Sequence, residues 1–252
     1  MRLMLRTAWL AAAAVLVTIP LAMATIAVAM IRSTSPLIDS IVRLWGKLIV
    51  AAAGIDLRTE NLGHLDPKKR YILVSNHYSY LDIPCIVAAV GQPVRFMAKA
   101  SLFKIPIFGW AIGRAGFIPI DRKNRRTAVK SFDMAADRIR KGNTIVVFPE
   151  EGRSRQRTLR PFQRGAFLLA IKSEKTIVPI AIDSTYDVFP VGAKRVKPGV
   201  VTIRVGLPIE TANLKLKAKE SLATQSREQI ETMLFGEPTV PAAAPDAAAA
   251  SE

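Results

Sequence analysis

From Ala8 to Ile31 no residue carries a charge, and most are apolar. In apolar surroundings such a stretch must pair its own backbone N–H and C=O groups, which a single continuous segment does only as a helix. At about 1.5 Å per residue it is long enough to cross a hydrocarbon core of roughly 30 Å. Arg2 and Arg6 precede it and Arg32 follows it. A basic start, an apolar run and Ala27-Val28-Ala29 also describe a cleaved signal peptide, but the apolar core of such a peptide is only about 7–15 residues. The greater length here points to a retained anchor. Pro36 to Ile55 is a second apolar segment, interrupted by Asp39, Arg43 and Lys47. That pattern reads as an interfacial amphipathic helix rather than a second span. Basic residues flank the first segment on both sides, so charge does not fix its orientation. A re-entrant hairpin would bring both ends to the same side.

Beyond residue 55 the chain alternates between two kinds of pattern. Tyr71-Ile72-Leu73-Val74, Val94 to Ala98, Thr144 to Phe148 and Val200 to Val205 read as buried strands. Asp82 to about Val90, Arg125 to Lys141, Gln163 to Ser173 and Ala212 to Phe235 read as helices, with Gly142 stopping the second. Strands alternating with helices predict an α/β fold, a sheet flanked by helices. The expected organisation is a membrane anchor over residues 1–55, one catalytic domain over 56–236 and a disordered Ala- and Pro-rich tail over 237–252.

The formal charge of +16 asks for an anionic partner. Nucleic acid, anionic lipid headgroups and an acidic acyl carrier protein all qualify. Aromatic residues are few and the cations form no recognised nucleic-acid motif, so nucleic acid is set aside. A single cysteine, Cys85, rules out an internal disulfide framework and offers no zinc site. It stands in the apolar run Ile83-Pro84-Cys85-Ile86-Val87 and reads as packing. No glycine-rich loop of the P-loop or dinucleotide type is present.

Two short segments carry chemistry. In Asn76-His77-Tyr78-Ser79-Tyr80-Leu81-Asp82 a histidine leaves a strand and a carboxylate follows five positions on. Imidazole is the usual general base near neutral pH, and it works best when a carboxylate holds its second nitrogen. Five residues do not share one helix face, but His77 in the loop and Asp82 in the first helical turn can meet. On spacing alone His77 is equally an ordinary polar loop residue. His64, with Lys69 five positions on, lacks the matching carboxylate and reads as a surface turn residue. In Phe148-Pro149-Glu150-Glu151-Gly152-Arg153-Ser154 a turn follows a strand, and open α/β sheets place ligands at such strand ends. Arg153 offers a planar fork suited to phosphate. Arg155, Arg157 and Arg160 read individually as solvated loop cations. A third segment, Gly113 to Arg122, reads as a glycine-rich turn, a short strand and a charged end, with Arg122 either a phosphate contact or a surface residue.

In this order these segments resemble the glycerolipid acyltransferase family. The family's N-H-x4-D motif matches Asn76, His77 and Asp82. Its G-x-x-F-I-x-R motif matches Gly113 or Gly116, Phe117, Ile118 and Arg122 only with altered spacing. Its F-P-E-G-T-R-S motif matches Phe148, Pro149, Glu150, Arg153 and Ser154, with Glu151 and Gly152 where Gly and Thr are usual. Its V-P-I motif matches Val178-Pro179-Ile180. The resemblance covers residues 36–210 and implies a mixed sheet flanked by helices behind an N-terminal membrane helix motif. It implies transfer of an acyl chain from acyl-CoA or acyl carrier protein to the free hydroxyl of a lysophospholipid, foremost 1-acyl-glycerol-3-phosphate. The altered third motif leaves another lysolipid, such as lyso-ornithine lipid, as a rival acceptor. His77 and Asp82 become the expected catalytic pair. Glu150, Gly152, Arg153, Ser154 and Arg122 become the expected acceptor site. Neither metal nor cofactor is expected, and the expected location is the inner membrane with the domain facing the cytoplasm. A membrane-anchored anion-binding module and a thioesterase with water as acceptor are the alternatives.

Overall fold

The computed structural model describes residues 2–121 and 125–236. Two helices open the chain, α1 (Arg2–Ile31) and α2 (Pro36–Ala53). Local signals bound α2 well. The Ser35 side chain accepts from the Leu37 N–H, Pro36 occupies the first turn, and Gly54 closes the helix in the left-handed conformation at φ 67°. The two helices form an antiparallel hairpin. Arg6 donates to the Ala53 carbonyl at 3.3 Å, and the Trp45 indole N–H donates to Thr18 Oγ1 at 3.0 Å.

The hairpin is fastened to the rest of the molecule along its whole length. At Gly46 a Cβ would come within 2.9 Å of the Pro84 carbonyl, so α2 lies directly on α3 (Asp82–Ala89). Asp39 of α2 pairs with the buried Arg95 of β3 (Val94–Lys99) at 2.7 Å. Thr7 Oγ1 accepts from the Val196 N–H at 3.0 Å, which ties down the start of α1. The hairpin is therefore held to the domain through α2 and through the start of α1. Leu3–Ile31 is long and apolar enough to cross a membrane by length and composition. Its outer face exposes Leu5, Trp9, Leu16 and Met30.

The remaining strands are β1 (Ile55–Glu60), β2 (Ile72–Ser75), β4 (Ile118–Ile120), β5 (Thr144–Val147), β6 (Ile177–Asp183) and β7 (Gly199–Val205). They form one mixed seven-stranded sheet in the order β1-β7-β6-β2-β5-β3-β4. β2 runs parallel to both β5 and β6, while β6 and β7 are antiparallel. The central strands β2 and β6 are buried and apolar up to their last residues, Ser75 and Asp183, as strands covered on both faces must be. Further helices are α4 (Phe108–Arg114), α5 (Arg125–Arg140), α6 (Gly165–Ser173), the single turn α7 (Thr185–Val188) and α8 (Lys219–Phe235). One apolar core lies beneath α2 and α3, and a second lies beneath α5, α6 and α8. Cys85 is fully buried in the first, and burial pushes its thiol well above the ordinary range.

Three elements depart from the sequence reading. The second segment ends at Ala53, and Ile55 opens β1, an edge strand that reads as polar because most of its residues face solvent. Its polarity hides it from a search for buried runs. The last helix begins at Lys219 rather than Ala212, because Asn213 takes a left-handed φ of 61° that no helix continues through. His64 is no solvated turn residue. Its Nδ1 lies 3.0 Å from both the Val205 and the Gly206 carbonyls, so that nitrogen carries the proton. The tail over 237–252 lies outside the described residues.

Candidate active site

Strands β2 and β5 are neighbours and parallel, so their carboxyl ends emerge side by side. One carries His77 two residues past its end, and the other carries Glu150 three residues past its end. That adjacency joins two segments separated by about seventy positions.

Asn76 sets the direction in which the chain leaves β2. Its side chain donates to the Ile182 carbonyl at 2.9 Å and accepts from the Ile182 N–H at 2.7 Å, imitating one more rung of the ladder toward β6. The next residue, His77, is 7 % exposed. Its ring stacks on Phe148 at 4.0 Å between centroids with 12° between planes. Its Nδ1 lies 2.7 Å from Asp82 Oδ2, the first residue of α3. The same oxygen accepts the backbone N–H groups of Tyr78 and Ser79, both at 2.8 Å. An oxygen that accepts two N–H groups, on a carboxylate with no proton to give, makes Nδ1 the third donor. The tautomer is thereby assigned: Nδ1 is protonated and Nε2 carries the basic lone pair. The chain has put the histidine and the carboxylate into the loop-to-helix arrangement that their spacing allowed.

Glu150 has a different setting from the one expected of an acceptor-binding residue. It is 2 % exposed, and both oxygens accept backbone N–H groups. Oε1 takes the N–H of His77 at 2.8 Å and Oε2 takes that of Arg160 at 2.8 Å. The carboxyl group thus pins the catalytic loop to the loop after β5. Burial pushes its pKa up to about 7, against the opposing pull of those two N–H groups. A raised native pKa means that the folded chain holds the proton more tightly than the unfolded chain. The resulting stability is complete below the ordinary 4.5 and is lost as pH rises through about 7. Its size is on the order of 3 kcal/mol. Urea unfolding of wild type and Glu150→Gln should therefore converge or cross over this interval, the wild type losing ground as pH rises. A pH-independent difference between the two would contradict the described burial.

Ser154 likewise faces the protein. It is buried, its N–H donates to the His77 carbonyl at 2.8 Å, and its hydroxyl accepts from the Gln156 N–H. The backbone of His77 is therefore clamped on both sides, by Glu150 at its N–H and by Ser154 at its carbonyl. Arg153 points outward. Its Nε donates to the Ser79 carbonyl at 3.3 Å, and its guanidinium lies 3.8 Å over the Tyr80 ring. Gly152 lines the same opening, and a Cβ there would meet Arg160 Nη1 at 2.9 Å. Arg122 lies outside the described residues.

His77, Gly152 and Arg153 open onto one cleft of about 790 Å³. Arg160, Lys99 and Lys104 line it as well. Ile83, Phe96 and Leu102 give it an apolar wall. The sequence reading left Arg160 as a loop cation and did not single out the two lysines. Lys99 ends β3, next to β5 in the sheet, so the strand-end rule that found Glu150 applied to it as well. Arg155 and Arg157 stand elsewhere, with Arg157 held by Asp183 and Asp187.

An oriented base in a cleft with an apolar wall and several cations is suited to moving an acyl group onto the hydroxyl of an anionic lipid. The model of the family described as Acyltransferase matches residues 56–183, which span both halves of this site. The chain belongs to the acyltransferase family. It is 34 % identical over 163 residues to a chloroplastic 1-acyl-sn-glycerol-3-phosphate acyltransferase of Brassica napus, covering 64 % of this chain and 46 % of that protein. It is 32 % identical over 181 residues to the human 1-acyl-sn-glycerol-3-phosphate acyltransferase alpha, covering 71 % of this chain and 64 % of the human one. The chain thus spans about half the length of the chloroplastic relative. Its fold matches the crystal structure of the 1-acyl-sn-glycerophosphate acyltransferase of Thermotoga maritima with a TM-score of 0.74 at 23 % identity, over 91 % of this chain and 96 % of that one. As the sequence reading expected, the fold is a mixed sheet flanked by helices, with an apolar helix at its N-terminus.

Proposed function

We propose that this chain is a membrane-bound acyltransferase that converts 1-acyl-glycerol-3-phosphate to phosphatidic acid, with acyl-CoA or acyl carrier protein as the thioester donor. The observation that carries this reading is the Asp82–His77 pair, its tautomer fixed, opening onto a cleft that also holds four cations. His77 Nε2 takes the proton of the acceptor's free hydroxyl. The oxygen attacks the thioester carbonyl. Collapse of the tetrahedral intermediate expels the thiolate, which takes up the proton held on His77. Asp82 accepts the Nδ1 hydrogen bond throughout and stabilises the imidazolium. Arg153, Arg160 and Lys99 hold the acceptor's phosphate, and the wall of Ile83, Phe96 and Leu102 receives an acyl chain. These steps use side chains alone, with no cofactor beyond the thioester substrate.

The hairpin supports the location. The start of α1 is tied to the end of α2 and to the domain, and its outer face is apolar. The hairpin enters one leaflet and returns, which leaves the catalytic domain on the side where the thioesters are, the cytoplasmic face of the inner membrane.

Detergent-purified protein is given a labelled acyl thioester with or without 1-acyl-glycerol-3-phosphate. Phosphatidic acid is the expected product. Free fatty acid at the same rate without any lysolipid would show a thioesterase instead, and no turnover with any lysolipid would leave a lipid-binding module.

A further inference from the structure

Glu151 lines the cleft, and the proposed reaction does not use it. It takes a left-handed backbone conformation at φ 57°. A Cβ crowds the backbone in that conformation, so residues other than glycine seldom adopt it. It stands at the end of a turn in which its N–H donates to the Phe148 carbonyl at 3.3 Å, with Pro149 and Glu150 at the corner. Strain of this kind is found where a side chain is held for use.

The side chain lines the cleft beside Gly152, Arg153 and Arg160 and is exposed to solvent. Two cations flank it in the same loop. Arg153 stacks on Tyr80 and donates to Ser79, and the Arg160 guanidinium lies against Gly152. Among the described residues no cation pairs with Glu151. The cleft wall is therefore bipolar, with cations able to hold an anion and, in the same turn, a carboxylate with its charge unanswered.

We infer that Glu151 is a specificity residue which admits zwitterionic lysolipids, its carboxylate receiving an ammonium group carried beside the anion of the headgroup. This rests on the acyltransferase reading above and adds an acceptor class to it. A carboxylate there attracts a headgroup amine and repels the second charge of a phosphate dianion, so its removal moves the two acceptors in opposite directions. A merely structural role would move all acceptors together.

The test compares kcat/KM for three acceptors of one acyl chain length. Lysophosphatidylethanolamine carries the amine. Lysophosphatidylglycerol matches it in size without the amine. Lysophosphatidate has the bare phosphate. Wild type should favour lysophosphatidylethanolamine over lysophosphatidylglycerol by about threefold to fivefold, the upper part of the range of an exposed charge pair. Both Glu151→Gln and Glu151→Gly should bring that ratio to within about twofold of unity while raising lysophosphatidate turnover. Glu151→Gly also relaxes the strained backbone, so agreement between the variants separates charge from conformation. An equal change for all three acceptors overturns the inference. Wild type that acylates lysophosphatidate alone also overturns it and leaves the proposed function standing. Acylation of none of the three removes both.

Discussion

His77→Ala should lower kcat by about 10²–10⁴, the usual contribution of a positioned general base, while the protein stays folded. The second half of that expectation follows from how the loop is held. Its fixed points are main-chain atoms: the His77 N–H on Glu150, the His77 carbonyl under Ser154, and the N–H groups of Tyr78 and Ser79 on Asp82. None of these involves the imidazole. Alanine removes the Asp82 contact and the stacking on Phe148 but leaves the clamps in place. Near-ultraviolet circular dichroism and thermal unfolding would check the fold, and single-turnover acyl transfer would measure the chemical step. Wild-type turnover in the variant would remove His77 from the mechanism.

Asp82→Asn should be nearly as damaging to catalysis, and costly to stability too. Three N–H donors converge on Oδ2. An asparagine that places its oxygen there keeps the geometry but supplies a weaker, neutral acceptor. Its NH₂ then occupies the position of Oδ1, a buried atom without a hydrogen-bond partner among the described residues. Two buried donors would be left unmatched, at about 1–3 kcal/mol each. The opposite rotamer sets a donor against three donors. Loss of the negative charge also removes the partner of the imidazolium, for which a loss of about 10⁴ in rate is the precedent in triad enzymes. A domain of this size should melt roughly 2–4 °C lower for each kcal/mol lost. Because His77 and Asp82 act as one unit, the double variant should be no slower than His77→Ala alone. Multiplicative losses in the double variant would show that Asp82 does not act through His77.

How much of this was legible depends on the range of the interaction concerned. The strands β2 and β5 announce themselves through short apolar runs, because a strand buried on both faces has no polar alternation. The pairing of His77 with Asp82 spans five residues, so spacing and one expected helix start sufficed. Arg153 was legible as a cation at a strand end. The roles of Glu150 and Ser154 were not, because a carboxylate that binds a phosphate-holding arginine and one that pins a backbone look alike in a string of letters. Only the parallel pairing of β2 with β5 puts Glu150 against the His77 N–H. Arg160 was hidden for the same reason, since it reaches the cleft through the packing of its loop.

Taken alone, the sequence determined the properties that neighbours along the chain decide: an uncharged helix at the start, alternating strands and helices, a base with its carboxylate, a surplus of cations. Periodicity, capping and short loops fix these within a few residues. The tertiary structure decided which face each side chain turns to the cleft, and that the helical hairpin lies along the domain, held through α2 and the start of α1. Strand order and helix docking are set by the summed burial of distant surfaces. No local pattern encodes that sum, so the same Glu-Glu pair yields one buried clamp at Glu150 and one charged cleft residue at Glu151.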